Sequence, residues 1–244
     1  MTAPQKQRPS GSVKSRKWAP DRRKAQAAFR DLLRALGIDP NLPALAQTPA
    51  RAAEAFLDVL TAGYEETPGQ ALGEGFPVEA PGPVLVTRIP TLFTCPHHLL
   101  PARAQVHLGF WAVDRAPGLS RITRMVDVLS HRLVLQEDLS QGLVDALVDG
   151  LQVEAAVAIV EAQHTCVAVE DFARHEVVFR TRAAHGPEAL VTSLEQQIGA
   201  SLAAPWTSAS APPSESPASR SRSRPPPKSS GTPKRRTTSK RPPS

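Results

Sequence analysis

The feature that most limits what this chain can fold into is the segregation of its charge. Met1–Ala19 holds Lys6, Arg8, Lys14, Arg16 and Lys17 with no acid, for a charge of +5. Thr207–Ser244 holds nine Lys and Arg against Glu215 alone, for a charge of +8. The whole 244-residue chain carries only +6, which leaves −7 for Pro20–Trp206. The pI of 9.8 therefore belongs to the ends, and reading the protein as a basic nucleic-acid binder would be an error of averaging. The C-terminal segment is built of Ser, Pro, Thr, Lys and Arg, as in Arg220-Ser-Arg-Ser-Arg224, and has no aromatic residue after Trp206. Such a composition buries too little surface to offset its ordering entropy, so residues 1–19 and 207–244 are expected to be disordered basic tails. Two readings of the C-terminal tail stay open: a solubilising extension, or a loose, weak polyanion contact through clustered cations. The foldable domain is 20–206.

Within that domain a sizeable core can form, since the chain is 41% hydrophobic and 21% charged. No apolar run approaches the ~18 residues of a membrane span, and the basic start is not followed by the apolar stretch of a secretory signal. Two cysteines are too few for a disulfide scaffold, and reduced thiols in the cytoplasm are expected.

Phe29, Leu32, Leu33 and Leu36 predict a helix from about Pro20, with Gly37 at its end. A second starts at Thr48-Pro49, with Thr48 as cap and Ala53, Phe56, Leu57 and Leu60 as its buried stripe, ending at Gly63. A Gly- and Pro-rich loop follows. Strands are expected over Pro83–Ile89 and Ala104–Val113. Helices follow around Ile122–Leu129 and Leu139–Gly150. Val153–Ile159 alternates as a strand, Cys166–Val169 and Glu176–Thr181 are further strand candidates, and Pro187–Leu202 reads as helix. Strands in neighbouring groups around a helical pair suggest an α+β fold with an antiparallel sheet.

The chemistry-bearing signal is Cys95-Pro-His-His98, answered far downstream by His164-Thr-Cys166. These motifs use both cysteines and three of the seven histidines. Two thiolates and an imidazole suit Zn²⁺, and three protein ligands leave a position for water, the pattern of catalytic zinc. Adjacent histidines cannot easily both bind one ion in good geometry; one can ligate while the other moves protons.

With these motifs, Cys95-Pro-His-His-Leu-Leu-Pro101, Gly118-Leu-Ser-Arg121, Arg124, Gln136-Glu137 and Thr48-Pro-Ala-Arg51 make the chain resemble the GTP cyclohydrolase I family over roughly Pro20–Leu202. The resemblance implies the tunnelling fold, in which subunits join their sheets into a ring. It also implies a zinc-dependent homodecamer with active sites between subunits. The family's reaction converts GTP and water to formate and 7,8-dihydroneopterin triphosphate, the entry to tetrahydrofolate. Carried over by residue, Cys95, His98 and Cys166 match the zinc ligands, and His97 and His164 the catalytic histidines. Gln136 and Glu137 match the guanine contacts. Ser120, Arg121 and Arg124 match the stretch that meets the triphosphate, with Arg121 where Lys is usual.

The sequence also departs from the pattern. Glu170-Asp171 stand where the family carries Arg-Gly, and Val177–Arg182 replaces a Thr-rich strand. Pro96 stands where Glu is common, and Val134 replaces a usual Gln. The phosphate end is thus altered while the metal and proton-transfer groups are intact. Arg174, Arg180 and Arg182 are the compensating cations at hand, with Arg180 the chosen one. Alternatives to GTP hydrolysis are a divergent paralogue acting on a related purine nucleotide with fewer phosphates, and a non-catalytic ring-forming protein that keeps zinc and binds a pterin or a regulator.

Overall fold

The computed structural model describes residues 18–203; the expectation of disordered tails falls, apart from Trp18 and Ala19, outside them. The chain begins with α1 (Arg22–Ala35), capped by the Asp21 side chain. It continues through α2 (Thr48–Glu54), a π-helical turn, a 3₁₀ turn and α3 (Pro68–Leu72) to β1 (Phe76–Pro77). Two long strands follow, β2 (Gly82–Thr94) and β3 (Pro101–Ala112), then the short β4 (Arg115–Ala116) that pairs with β1. Helices α4 (Leu119–Ser130) and α5 (Gln136–Leu151) precede β5 (Ala155–His164), α6 (Thr165–Glu170), β6 (Phe179–His185) and α7 (Glu188–Ala203).

The main sheet runs β2-β3-β5-β6, antiparallel throughout. Alternation along the strands splits its side chains between two cores. Val106, Leu108 and Phe110 of β3 are fully buried with Ile122 and Met125 of α4 and Leu143 and Leu147 of α5. On the other face Val157 of β5 meets Leu194 and Ile198 of α7. Gly109 lies under α7, where a Cβ would stand 3.2 Å from Ile198, so its lack of a side chain admits the helix. This is the expected α+β arrangement of an antiparallel sheet flanked by helices, with an N-terminal helical pair.

Several local expectations change. Thr48 does not cap; Gln47 holds the N-cap position and makes no side-chain cap bond. Of the α2 stripe only Ala53 is buried, and Leu32 of α1 and its C-cap Leu36 stay more than half exposed, because α1 packs on α2 rather than on the main core. The Gly- and Pro-rich loop contains α3, held by a reciprocal Thr67–Gln70 capping box. Cys166–Val169 is helix, not strand. β5 stops where His164 pairs with Ala102, at the start of β3, so no neighbour remains to extend the ladder. The last strand begins at Phe179, opposite Ala162, and runs on to His185.

Candidate active site

The two cysteine motifs meet because of strand order. β2 and β5 are both antiparallel to β3, which lies between them, so both finish at the same end of the sheet. Cys95 follows the last residue of β2, and Cys166 sits in the first turn after β5. Residues 95–100 make the tight β2–β3 connection. Leu99 N–H donates to Cys95 O (2.9 Å), Cys95 N–H donates to Leu100 O (3.0 Å), and Leu99 adopts φ +56°. That left-handed position is unusual for a residue with a branched side chain. The loop turns His98 back so that its Nδ1 lies 3.6 Å from Cys95 Sγ.

Donor atoms of Cys95, His98 and Cys166 all fall within 4.8 Å of one another. A tetrahedral zinc with arms of ~2.0–2.3 Å separates its ligands by about 3.3–3.8 Å, so these residues fit the ion with small movements. Burial pushes the Cys95 thiol up, but the His98 ring and the backbone N–H groups of His98 and His97 outweigh it and hold the thiol below its ordinary value. Cys166 is raised by burial and by its neighbour Cys95.

The start of α5 is tied to this loop. Thr94 N–H donates to Arg132 O (3.2 Å) and Val134 N–H donates to Thr94 O (3.1 Å), which brings Gln136 and Glu137 beside Cys95. A cavity of about 340 Å³ results, lined by Cys95, His97, His98, Gln136, Glu137, His164 and Cys166 among others. Glu137 is exposed in the first turn of α5, where the helix dipole favours an anion.

Gln136 is placed differently from the expected guanine contact. It is only 4% exposed, and its amide is committed to the protein. Nε2 donates to Val160 O (2.9 Å) and Phe179 O (3.0 Å). Those two carbonyls fix which end of the amide is oxygen, so Oε1 must accept from His164 Nε2–H at 2.8 Å. His164 thereby keeps Nδ1 as its lone-pair nitrogen. Phe93 and Phe179 meet its ring edge-on, at 5.4 and 5.3 Å between centroids. Burial pulls the imidazole below its ordinary value, against the charge of Glu137, which pulls it up.

Arg180 borders the cavity, but its guanidinium does not serve it. Thr181 faces α5, where its hydroxyl lies 2.6 Å from that of Ser140. Arg180, one residue earlier, therefore projects from the opposite face of the sheet. There it pairs with Glu161, and Arg182 on the same face pairs with Glu195 of α7. Arg174 pairs with Asp171. All three compensating cations are thus already held by acids. Ser120, Arg121 and Arg124 lie on the first half of α4 and do not line the cavity of their own chain; Arg124 pairs with Glu66 at 2.7 Å.

Sequence reasoning missed three residues. Phe93 and Phe179 were hidden among strand hydrophobics, and only their pairing positions put them on His164. Glu161 reads in the sequence as one more strand-face charge.

Comparison with known proteins places this geometry in a family. The profile described as GTP cyclohydrolase I matches residues 25–199. Among curated proteins, GTP cyclohydrolase 1 of Corynebacterium aurimucosum is 35% identical over 168 residues, 68% of this chain and 85% of its own length. The proteins of that name from Mycolicibacterium paratuberculosis and Mycobacterium leprae are 38% and 37% identical over 168 residues, each matched over 82% of its length. A match of this extent spans the sheet, the flanking helices and both cysteine motifs, and the chain belongs to the GTP cyclohydrolase I family of enzymes.

Proposed function

We propose that this protein hydrolyses GTP at C8 and rearranges the opened ring, giving formate and 7,8-dihydroneopterin triphosphate, the first step towards tetrahydrofolate. The observation that carries the reading is the convergence of Cys95, His98 and Cys166 on one point at the wall of a cavity that also holds His97, His164 and Glu137. Cys95 and Cys166 Sγ and His98 Nδ1 would hold zinc. Bound there, zinc supplies a Lewis acid that makes water nucleophilic near neutral pH.

The chain's own groups account for the rest. Glu137 accepts hydrogen bonds from guanine N1–H and the 2-amino group, a pattern adenine lacks. His164, anchored through Nε2 on Gln136, presents Nδ1 for proton exchange with the purine. His97 is exposed beside His98 and relays protons during ring opening and release of formate.

The same proposal extends to assembly. Among the described residues β2 and β6 are the outer strands of the main sheet, and apart from the bridge at Thr94 their outer sides have no strand partner, so they need covering. A closed ring, a decamer as in the family, covers them and brings the start of α4 from a neighbour to the cavity. Ser120, Arg121 and Arg124 then meet the phosphates, with the first turn of the helix. No helix among the described residues is long and apolar enough to cross a membrane.

One observation favours a second substrate. Glu170 ends α6, the short helix that carries Cys166, Asp171 follows it, and Arg174, Arg180 and Arg182 are all paired with acids, Arg174 with Asp171 itself. Like charges near a triphosphate weaken its binding. A purine nucleotide with fewer phosphates would suffer less. Comparing kcat/KM for GTP and GMP separates the two: a preference for GTP supports the triphosphate, and a preference for GMP overturns it.

A further inference from the structure

The back face of the sheet carries a polar chain that ends under the cavity wall. Two residues of β2, Thr87 and Arg88, stand opposite the single His107 of β3, which makes a bulge. Arg88 adopts φ +60° there, and its N–H, turned out of the ladder, donates to His107 Nδ1 at 3.0 Å. His107 is fully buried, and burial holds its imidazole below its ordinary value, so it is neutral at pH 7. With Nδ1 accepting, the ring proton sits on Nε2 and faces Glu161 Oε2 at 3.4 Å.

The other oxygen of Glu161 receives Arg180. Nε donates to Oε1 at 2.9 Å, and Nη2 donates to the same atom. Burial pushes the Glu161 carboxyl up, yet Arg180 and then His107 outweigh it and hold it low, so it is a carboxylate. Glu161 and Arg180 are partners in the second rung of β6, after Ala162–Phe179. Among the described residues β6 is an edge strand, with β5 as its one neighbour, and its start is the end that carries the site. Phe179 O accepts from Gln136, the Phe179 ring meets His164, and Thr181 Oγ1 donates to Gln136 O at 3.3 Å.

We propose that Glu161 is a positioning residue: through Arg180 it pins the start of β6, so that Phe179 and Thr181 keep the cavity wall against His164 and Gln136. This rests on the cyclohydrolase reading above for its kinetic arm only. His107 serves the pin by fixing the carboxylate from beneath.

The test compares Glu161→Gln, Arg180→Gln and the double variant in the full-length, metal-replete protein. Steady-state kinetics with GTP are measured alongside amide exchange over residues 178–181. Each single variant is expected to lower kcat about tenfold, leave KM within about twofold and speed exchange at the start of β6. The double variant is expected to be no slower than the singles, because both remove one interaction. Losses that multiply in the double variant overturn the proposal. So does an Arg180→Gln variant with normal kcat and a raised KM for GTP, which would make Arg180 a phosphate contact. Arg180 is mostly exposed, so its variant decides the matter even where Glu161→Gln fails to fold. If the wild-type protein leaves GTP unchanged, the cyclohydrolase reading falls and amide exchange alone judges the pin: unchanged exchange refutes it, faster exchange supports it.

Discussion

Replacing Gln136 with Met keeps the length of the side chain and deletes its three hydrogen bonds. The perturbation separates two roles, an anchor for His164 and a contact for guanine. Val160 is fully buried, so its carbonyl loses a partner with little access to water. The partly buried His164 Nε2–H loses its acceptor, and Phe179 O loses its donor nearer the surface. An orphaned buried polar group costs about 1–3 kcal/mol, and the Val160 carbonyl has a second lone pair for the ladder. The sum is about 2–4 kcal/mol. At ~2–4 °C per kcal/mol for a domain of this size, melting should fall by roughly 4–16 °C at fixed protein concentration. The His164 ring, no longer held through Nε2, should lose its reactive orientation, and kcat should drop ~10²-fold with little change in KM. Differential scanning calorimetry and steady-state kinetics on the metal-replete variant read both effects. A variant with unchanged melting and kcat but a raised KM for GTP would refute the anchor and return Gln136 to the guanine.

Other expectations follow from the same geometry. Cys166→Ser should lose bound zinc and activity together, measured by metal analysis and turnover; an active variant without stoichiometric metal would remove the ion from the account. His97→Ala and His164→Ala should keep zinc and slow turnover ~10²-fold or more, and normal turnover in either would end that histidine's role. Light scattering on the active protein should report a closed oligomer, since two sheet edges need partners; a fully active monomer would contradict the assembly.

Much of the site was legible because its chemistry is carried by rare residues. Both cysteines of the chain lie in short Cys/His motifs, and strands that finish at the same end of a sheet bring such motifs together. What sequence periodicity could not supply was the partner of each face. Arg180 and Arg182 were readable as sharing one side of a strand, but which side depended on Thr181 meeting Ser140 of α5. Gln136 precedes an acid at a helix start and reads as a ligand contact, yet its burial and its two carbonyl partners come from β5 and β6, distant in sequence. Val167 and Val169 favour a strand by propensity, and the end of β3 overrode them by leaving nothing to pair with. Leu32 and Leu36 mark a helix correctly but face solvent in the single chain, because an amphipathic stripe does not say what covers it.

The most direct test of the central claim is product analysis of zinc-loaded protein incubated with GTP. Formate should appear in a 1:1 ratio with a compound showing pterin absorbance, and both should vanish on chelation and return with zinc. GTP recovered unchanged by the zinc-loaded protein, or a product that has released formate without forming a pterin, would contradict the account.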